Sequence, residues 1–393
     1  MDFRFSPDEE VYRRQVRDWL EVNVPHWRHE TPWSYPADDD ERFARQRVWH
    51  GELYRAGYVG VTWPVEYGGG GRTLVENAIL QEEMVRADAP APINSLGIGL
   101  CGPAILHHGS EDQKRRYLEP MLSGDEIWCQ GYSEPGAGSD LASLATRAER
   151  RGDRYVLNGQ KIWTSLALRA DWCFALVRTD PDAPRKHDGI GFLLIDMRTP
   201  GIQVRPIAMI TGQTEFTEVF FQDVEVPVAN IVGEPTQGWR IANTVLGYER
   251  GANTLSQYAS YQKRFGQLAE RVRGRSGPAA GVLRQRLAQV AIDVEVLRLS
   301  SLRQLTALAR GEPPGTEASI QKLYWSELDQ RFNRLGLDLL GASGQLAQES
   351  PRAPDDGRWH FGEVNSLRFT IARGTSEIQR NIISERVLGL PRA

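Results

Sequence analysis

The spacing of hydrophobic residues changes twice along the chain. Up to about residue 125, apolar positions recur at three- and four-residue steps, as in "RFARQRVWHGELYRAGY". Residues 126–233 contain short β-rich runs such as "WCFALVRT" and "EVFFQDVEV", separated by turn signals. Beyond them, long helical stretches return. The pattern predicts an α+β protein with an N-terminal helical domain (1–125), a central β domain (126–233) and a C-terminal helical bundle (234–393).

Local signals sharpen parts of this picture. Ser6, with Glu9 three residues later and Pro7 at the first helical position, predicts a helix that starts there and reaches Leu20. No helix separates the strands of the central region, so we expect an antiparallel sandwich or barrel rather than a parallel sheet. The string "LNGQ" predicts a hairpin with Asn158-Gly159 at its centre.

Composition excludes several classes of protein. The 393 residues are 40% hydrophobic and 25% charged, which is typical of a globular protein, and the net charge of −4 gives no hint of nucleic acid. No apolar run approaches the ~20 residues that span a bilayer. The N-terminus lacks the apolar segment of a signal peptide. Three widely separated cysteines fit neither a disulfide framework nor a zinc site. We therefore expect a cytoplasmic protein without a bound metal or a membrane partner.

One glycine pattern imitates a nucleotide-binding motif. Gly97, Gly99 and Gly102 in "GIGLCG" follow the GxGxxG spacing of dinucleotide-binding proteins. That motif requires a preceding strand, and the two prolines of "DAPAPINSL" argue against one. We interpret these glycines as a tight helix–helix contact.

A second glycine-rich stretch is a stronger candidate. In "GYSEPGAGSDL" (131–141), few side chains cover the backbone, so free N–H groups could form a nest for a pyrophosphate. Ser133 and Ser139 add hydroxyl donors. A plain surface turn is the alternative interpretation.

The string "GQKIWTSLA" places an aromatic ring and a hydroxyl near each other. On a strand, Trp163 and Ser165 point the same way because side chains alternate. Together they could stack on and hydrogen-bond to a flat heterocycle. The alternative is a tryptophan of the hydrophobic core.

A carboxylate follows in a helical stretch, "ANTVLGYERGANTLSQ" (242–257). At about 100° per residue, one apolar face of this helix consists of Ile241, Val245, Ala252 and Ala259. Glu249 lies at the margin of that face, which is costly unless the charge is paired or functional. Gly247 and Gly251 flank it, and each weakens the helix by roughly 1 kcal/mol relative to alanine. A surface pair of Glu249 with Arg250 is the alternative.

Near the C-terminus, "IARGTSEIQR" (371–380) describes a loop that turns into a helix. Ser376, with Gln379 three residues later, predicts a capping box. Arg373 stands directly before Gly374 and Thr375.

Taken together, these strings resemble the acyl-CoA dehydrogenase family over essentially the whole chain. The resemblance rests on "EYGGGG", "GSEDQKRRYLEPMLSGD", "YSEPGAGSD", "NGQKIWTS" and "GTSEIQRNIISERVLG", in order and at the usual spacing. It implies a fold with an N-terminal helical domain, a central β domain and a C-terminal four-helix bundle.

The resemblance also implies FAD as cofactor and assigns residues to it. The stretch from Gln130 to Ser139 matches positions along the isoalloxazine and pyrophosphate, and it includes Tyr132, Ser133 and Gly138. Trp163 and Ser165 match the positions that cover the other flavin face, and Thr375 and Glu377 match contacts to the phosphate–adenosine portion. The positions that meet the CoA thioester in relatives are Ser139, Tyr248, Arg250 and Gly374.

The family reaction removes two hydrogens from adjacent carbons of an acyl-CoA, with a carboxylate as the base for the α-proton. Most relatives carry that glutamate directly before Gly-Thr. Here the position is Arg373, which cannot be deprotonated. In the isovaleryl and long-chain branch the base lies on a bundle helix, at the position of Glu249. We therefore expect Glu249 to be the catalytic base.

The resemblance leaves the partners open. It implies a homotetramer that passes electrons to an electron-transfer flavoprotein. However, "GASG" (341–344) replaces the usual GGxG, and Asp338 stands where glutamine is common. These departures weaken the expected flavin contacts between subunits. They leave open a mixed assembly with a related partner chain, as in branches that degrade steroid side chains. Two alternatives are a flavin oxidase or monooxygenase on the same scaffold, and a non-catalytic partner subunit.

Overall fold

A computed structural model describes residues 5–27, 40–251, 254–312, 315, 317–348 and 350–391, without the side chains of 246–251, 254, 255 and 317. The chain divides into two compact units. The sheet unit comprises His29–Thr73 and Pro90–Glu249, and the bundle unit comprises Met1–Arg28, Leu74–Ala89 and Arg250–Ala393.

The helices occupy both ends of the chain, as the hydrophobic period predicts. Within the described ranges they are α1 (Pro7–Asn23), α2 (Asp40–Arg55), α3 (Leu74–Arg86), α4 (Gly102–His108), α5 (Glu111–Ser123), α6 (Gly238–Gly251), α7 (Thr254–Val272), α8 (Pro278–Ala309), α9 (Glu317–Leu340), α10 (Arg358–Ser366) and α11 (Ser376–Ile382). None of these is both long and apolar enough to cross a bilayer.

The strands lie between the helical regions. They are β1 (Trp128–Gly131), β2 (Arg147–Arg151), β3 (Arg154–Ser165), β4 (Trp172–Arg178), β5 (Ile190–Asp196), β6 (Ile202–Ile207) and β7 (Phe216–Pro227). The described strands form one sheet in the order β1-β4-β2-β3-β7-β6, with β5 added on β4.

The predicted start of the first helix is confirmed. Ser6 Oγ accepts from the Glu9 N–H at 3.2 Å, and the Glu9 carboxylate accepts from the Ser6 N–H at 2.6 Å. This capping box satisfies two of the N–H groups that the first turn leaves without helical partners. The helix continues beyond the predicted Leu20 to Asn23.

The prediction of a purely antiparallel sheet is wrong in one respect. Four strand pairs are antiparallel, but β4, which is antiparallel to β5, runs parallel to both of its other neighbours. Cys129 of β1 lies opposite Cys173 of β4, and Arg147 of β2 lies opposite Arg178 of β4. A parallel pair needs a long crossover connection, which is usually a helix. Here the connection is a loop followed by the β2–β3 hairpin, so the sequence carries no helical signal for it.

The predicted hairpin centre is also wrong. Asn158 and Gly159 lie inside β3, and the turn that joins β2 to β3 contains Gly152 in a left-handed conformation (φ 64°). The Asn158 side chain instead binds Asp223 on β7 through two hydrogen bonds of 3.0 Å. A Cβ on Gly159 would come within 2.6 Å of the Thr146 hydroxyl, so close packing explains this glycine.

Gly97 to Cys101 form a π-helical turn, with no strand of the described chain directly before it. The expected helix–helix contact is found at Gly97, where a Cβ would come within 2.9 Å of Met121 Cγ on α5. The third glycine of the motif contacts a loop side chain instead. A Cβ on Gly102 would collide with the indole of Trp63. The absence of a side chain at Gly102 makes room for that ring.

Each unit has its own hydrophobic core. In the sheet unit the core includes Leu157, Cys173, Ala175, Leu193 and Val219, all fully buried. In the bundle unit, helices α7, α8, α9 and α10 surround one cluster. Its largest members are Tyr261, Leu297, Trp325, Phe332 and Trp359.

Candidate active site

The loop after β1 begins with residues of the predicted flavin stretch. Gln130 is a half-buried residue of β1. The buried ring of Tyr132 packs edge-on against Phe174 and Phe192, with centroids 5.9 and 6.4 Å away. The Ser133 carbonyl accepts a hydrogen bond of 2.9 Å from the Ile162 N–H. The start of the loop is thus fixed both by packing and by β3.

The next residues form a tight turn with an open surface. Glu134 and Ala137 exchange backbone hydrogen bonds of 3.1 and 3.0 Å, which close the turn around Pro135 and Gly136. Gly138 and Ser139 are exposed. A Cβ added at Gly136 or Gly138 would meet nothing within 4 Å. No other part of the described chain covers this backbone, so a ligand could approach it closely.

Trp163 lies in an irregular part of β3. The pairing with β7 shifts between Lys161 and Thr164, and Trp163 has a left-handed backbone (φ 62°). Its indole is 55% exposed, a large fraction for an apolar ring on a strand. The bulge aims this ring out of the sheet, as bulges at functional sites commonly do.

Ser165 lies on the same side as the Trp163 ring. Phe216 is directly opposite Ser165 in the antiparallel pair, so their side chains share a face. The Phe216 ring also meets the Trp163 ring edge-on, with centroids 6.1 Å apart. The two residues are neighbours as expected, although the bulge interrupts the simple alternation from which we inferred it.

The loop and the bulge are joined through Ile162, so the sheet unit brings together Ser133, Trp163 and Ser165. An exposed indole, nearby hydroxyls and an uncovered glycine backbone match the needs of a flat heterocycle that carries a pyrophosphate. These residues therefore fit FAD.

In the bundle unit, the turn before α11 has an unusual backbone. Arg373 (φ 60°) and Gly374 (φ 87°) are both left-handed, a conformation that is uncommon for a residue other than glycine. Gln379 Nε2 donates to the Arg373 carbonyl at 2.9 Å, and Lys322 Nζ donates to the Gly374 carbonyl at 2.6 Å. Both carbonyls of the turn therefore accept hydrogen bonds from side chains, one on α11 and one on α9.

The predicted N-cap of the last helix is off by one residue. Thr375 is the N-cap, and its hydroxyl accepts from the Ile378 N–H at 3.2 Å. Ser376 is already helical and buried, because the left-handed Gly374 ends the turn one residue earlier than the pattern suggests. Glu377 is exposed, and hydrogen bonds from its own backbone N–H and from Thr375 lower the pKa of its carboxyl.

The predicted base lies on a helix, but its side chain lies outside the described residues. Glu249 belongs to α6, which ends at Gly251, and Ile241 and Val245 of that helix are fully buried. The first two members of the apolar face inferred from the sequence, Ile241 and Val245, are therefore confirmed as buried. The side chains of Tyr248 and Arg250 also lie outside the description, as does Ala252.

Three charged residues next to the loop after β1 and the turn before α11 are buried, and the sequence indicates this only weakly. Lys161 and Glu134 form an ion pair of 2.7 Å in the sheet unit, and Lys322 supports the Gly374 turn. In a short string, a charge is usually interpreted as a solvent-facing residue. One signal exists for Lys161, since it follows the buried Leu157 on a strand by an even number of residues.

Comparison with known proteins identifies the family. Family models for acyl-CoA dehydrogenase match the chain in three parts, with the N-terminal domain at residues 6–125, the middle domain at 129–224 and the C-terminal domain at 236–388. The chain belongs to the acyl-CoA dehydrogenase family. It is thus an acyl-CoA dehydrogenase and an FAD-dependent flavoprotein.

Individual relatives match over the full length. Acyl-CoA dehydrogenase IpdE1 of Mycobacterium tuberculosis is 40% identical, with 98% of each chain covered. Acyl-CoA dehydrogenase FadE26 of the same organism is 35% identical over all of both chains. Among solved structures, the ChsE4-ChsE5 complex of Mycobacterium tuberculosis is 33% identical, and the Tcur3481-Tcur3483 steroid ACAD is 31% identical. Both give a TM-score of 0.84 with all of each chain covered.

Proposed function

We propose that this acyl-CoA dehydrogenase acts on a bulky, ring-bearing acyl-CoA thioester and assembles with a second, related chain. The observation that carries the proposal is the full-length similarity to a steroid ACAD and to the ChsE4-ChsE5 complex, both of which contain two named chains. The glycines on either side of Glu249, Gly247 and Gly251, favour the same substrate class because they leave room for a wide acyl group.

We propose Glu249 as the base that removes the α-proton. The residue before Gly374 is Arg373, whose guanidinium cannot accept a proton at any working pH. A carboxylate from another segment must then do so, and α6 supplies one at the edge of a buried apolar face. In such surroundings desolvation raises the pKa of a carboxyl group, which makes it a stronger base.

Further roles follow from the same proposal. In the sheet unit, the residues proposed to line the flavin are Gln130, Tyr132, Ser133, Gly138, Ser139, Trp163 and Ser165. In the bundle unit, Thr375 and Glu377 are proposed to contact its phosphate–adenosine portion. FAD, when bound, accepts the β-hydrogen as hydride. The proposed thioester contacts are Ser139, Tyr248, Arg250 and Gly374, where a backbone N–H would stabilise negative charge on the carbonyl oxygen.

The finer architecture is also part of the proposal. We propose that the three domains span 1–125, 126–233 and 234–393, that the central sheet closes on itself, and that the four helices around the bundle core form the family's four-helix bundle. Electrons would leave through an electron-transfer flavoprotein. Assembly with a related chain is preferred here over a homotetramer.

The base is tested by Glu249→Gln, with Glu234→Gln as the matched control because Glu234 is an exposed glutamate just before α6. We expect Glu249→Gln to retain FAD, judged by its absorbance, and to lose turnover by at least about a hundredfold, as loss of a general base does. The control should keep both. Normal turnover in Glu249→Gln would reject the assignment.

The substrate and partner are tested separately. Turnover is measured with straight-chain, branched and steroid-derived CoA thioesters and an artificial electron acceptor, and we expect the steroid-derived thioester to be preferred. Strong preference for a short linear chain would end that part of the proposal. The FAD content of the protein expressed alone should be well below one per protomer and should rise on assembly with the partner. A full complement in the isolated chain would favour the homotetramer, and oxygen consumption in place of dye reduction would indicate an oxidase.

A further inference from the structure

The loop that follows β1 is tied down by a charged group inside the protein. Lys161, on β3, is fully buried. Its ammonium group lies 2.7 Å from Glu134 Oε1 and donates to the Tyr132 carbonyl at 3.1 Å. One side chain thus binds the loop at two points on either side of Ser133.

Glu134 extends this connection to the far end of the loop. Its carboxylate accepts from the Ala145 N–H at 2.6 Å and from the Thr146 N–H at 2.9 Å. Lys161, Glu134 and these two amides therefore join the beginning and the end of the segment 132–146. The glycine-rich turn 135–139 projects between the two joined ends.

The stem of Lys161 packs against the backbone of β1. A Cβ on Gly131 would approach the Cys173 sulfur to 2.9 Å and Lys161 Cγ to 3.4 Å. The close approach is to Cys173 on β4, whereas the lysine stem lies at ordinary contact distance from Gly131 and passes it to reach the loop. The packing therefore accommodates a buried lysine at this position.

Folding stability alone does not account for such a pair. Burial lowers the pKa of Lys161 even though Glu134 opposes that shift. Burial also acts to raise the pKa of the Glu134 carboxyl, but the Lys161 charge and the hydrogen bonds to Thr146 and Ala145 outweigh it, so the pKa is lowered. A buried ion pair is often no better for stability than uncharged residues of similar size. What the pair adds is a single defined position for the backbone that it binds.

We infer that Lys161 and Glu134 are positioning residues. They hold residues 133–139, which include the glycine-rich turn, in the conformation that receives FAD. They would act on the cofactor only through this backbone. The inference rests on the proposed flavin-binding role of Ser133 to Ser139. Because the contacts exist within the chain, the turn has this shape before FAD arrives, which reduces the ordering that binding requires.

The test compares FAD binding with folding in one double variant. Lys161→Met/Glu134→Gln replaces both charges with uncharged residues of similar length, so neither charge is left buried alone. We expect the apoprotein to keep a melting temperature close to that of the wild type. Its dissociation constant for FAD should rise about tenfold or more, equivalent to about 1.4 kcal/mol. Calorimetric titration of apoprotein with FAD, with variant and wild type in the same assembly state, measures the constant without any acyl thioester, so the identity of substrate and base does not enter.

The matched control is the exposed ion pair of the same loop. Lys186 Nζ lies 2.6 Å from the Asp140 carboxylate, and both side chains are about half-exposed. Lys186→Met/Asp140→Asn removes it, and we expect little change in FAD affinity because exposed pairs contribute little. Equal weakening in both double variants, or an unchanged dissociation constant in Lys161→Met/Glu134→Gln, would overturn the inference.

A measurement on the unmodified protein covers the case in which the double variant does not fold. Hydrogen exchange of the Ala145 and Thr146 amides is followed in apoprotein and holoprotein. We expect both amides to be protected already in the apoprotein, because Glu134 accepts from them without FAD. Rapid exchange that slows only when FAD is added would show that the cofactor, not the ion pair, shapes the loop.

Discussion

Lys322, buried in α9, donates a hydrogen bond of 2.6 Å to the carbonyl oxygen of Gly374. The bond connects the bundle to the left-handed turn that precedes α11. Gln379 of α11 donates to the preceding carbonyl, that of Arg373, at 2.9 Å. The backbone N–H proposed to meet the thioester therefore depends on a lysine that is far away in sequence.

Removing this donor should destabilise the turn. In Lys322→Met, the Gly374 carbonyl loses a charged donor, and we expect the unfolding free energy of the apoprotein in urea to fall by about 1.5–3 kcal/mol. Lys263→Met is the control, since Lys263 is a partly exposed lysine in the same unit that donates to the Arg86 carbonyl at 3.2 Å. The unfolding free energy of Lys263→Met should fall by at most about 1 kcal/mol. Similar decreases in unfolding free energy in the two variants would contradict the idea that the burial of Lys322 strengthens its hydrogen bond.

Adding a methyl group to the same turn should also be costly. Gly374→Ala forces a side chain into a left-handed conformation (φ 87°), and its Cβ would come within 2.5 Å of Gln379 Nε2. We expect a loss of more than about 1 kcal/mol in unfolding free energy. Gly266, in α7, has open space around its Cβ position, so Gly266→Ala should instead stabilise the helix by about 0.5–1 kcal/mol. Changes of the same sign would refute this account.

The exposed indole of Trp163 should matter more for FAD than for folding. Trp163→Gly relieves the left-handed strain at φ 62°, about 1 kcal/mol, and removes a ring that is 55% exposed. We expect the apoprotein to melt within a few degrees of the wild type while FAD binds about tenfold more weakly. Leu168→Ala, at another exposed apolar residue close in sequence, should leave FAD affinity unchanged. Equal effects of both substitutions would argue against a flavin contact.

His50 should make stability depend on pH in mildly acidic solution. Burial lowers the pKa of this ring, whose Nε2 lies 2.8 Å from the Leu122 carbonyl. The unfolded chain takes up a proton near pH 6.5, whereas the folded ring stays neutral to lower pH. The contribution of the neutral His50 ring to the unfolding free energy is therefore fully present above about pH 6.5. It is lost as the pH falls below that value, by up to about 1.4 kcal/mol per pH unit.

The measurement is urea unfolding of the apoprotein between about pH 5 and 7.5. His50→Gln keeps a donor for the Leu122 carbonyl but cannot titrate. We expect its unfolding free energy to change less over this range than that of the wild type. Parallel pH profiles for the two proteins would assign the dependence to other groups.

Elements whose signals are local could be predicted from the sequence. The cap at Ser6 needs only Pro7 and Glu9 nearby, and the structure confirms it. The position of Glu249 on a helix follows from a periodicity of a few turns. Such features depend on neighbours along the chain, which a sequence displays directly.

Features that depend on distant neighbours could not be predicted. Asn158 and Gly159 carry a strong turn signal, but Asp223 and Thr146 on other segments make a bulged strand the better solution. The burial of Lys161 likewise depends on Glu134, which lies in the loop after β1. Tertiary contacts override local preference at both places.

The parallel pairing of β1 with β4 also has a consequence for biosynthesis. The strand that leads into the turn 133–139 finds its hydrogen-bonded neighbour only in β4, after the whole β2–β3 hairpin has been made. Pairings between segments far apart in sequence form late and slowly. In a ribosome-bound chain that stops before residue 172, β1 would therefore lack the strand that supports the proposed FAD-binding loop. FAD could then assist folding only after β4 has been synthesised.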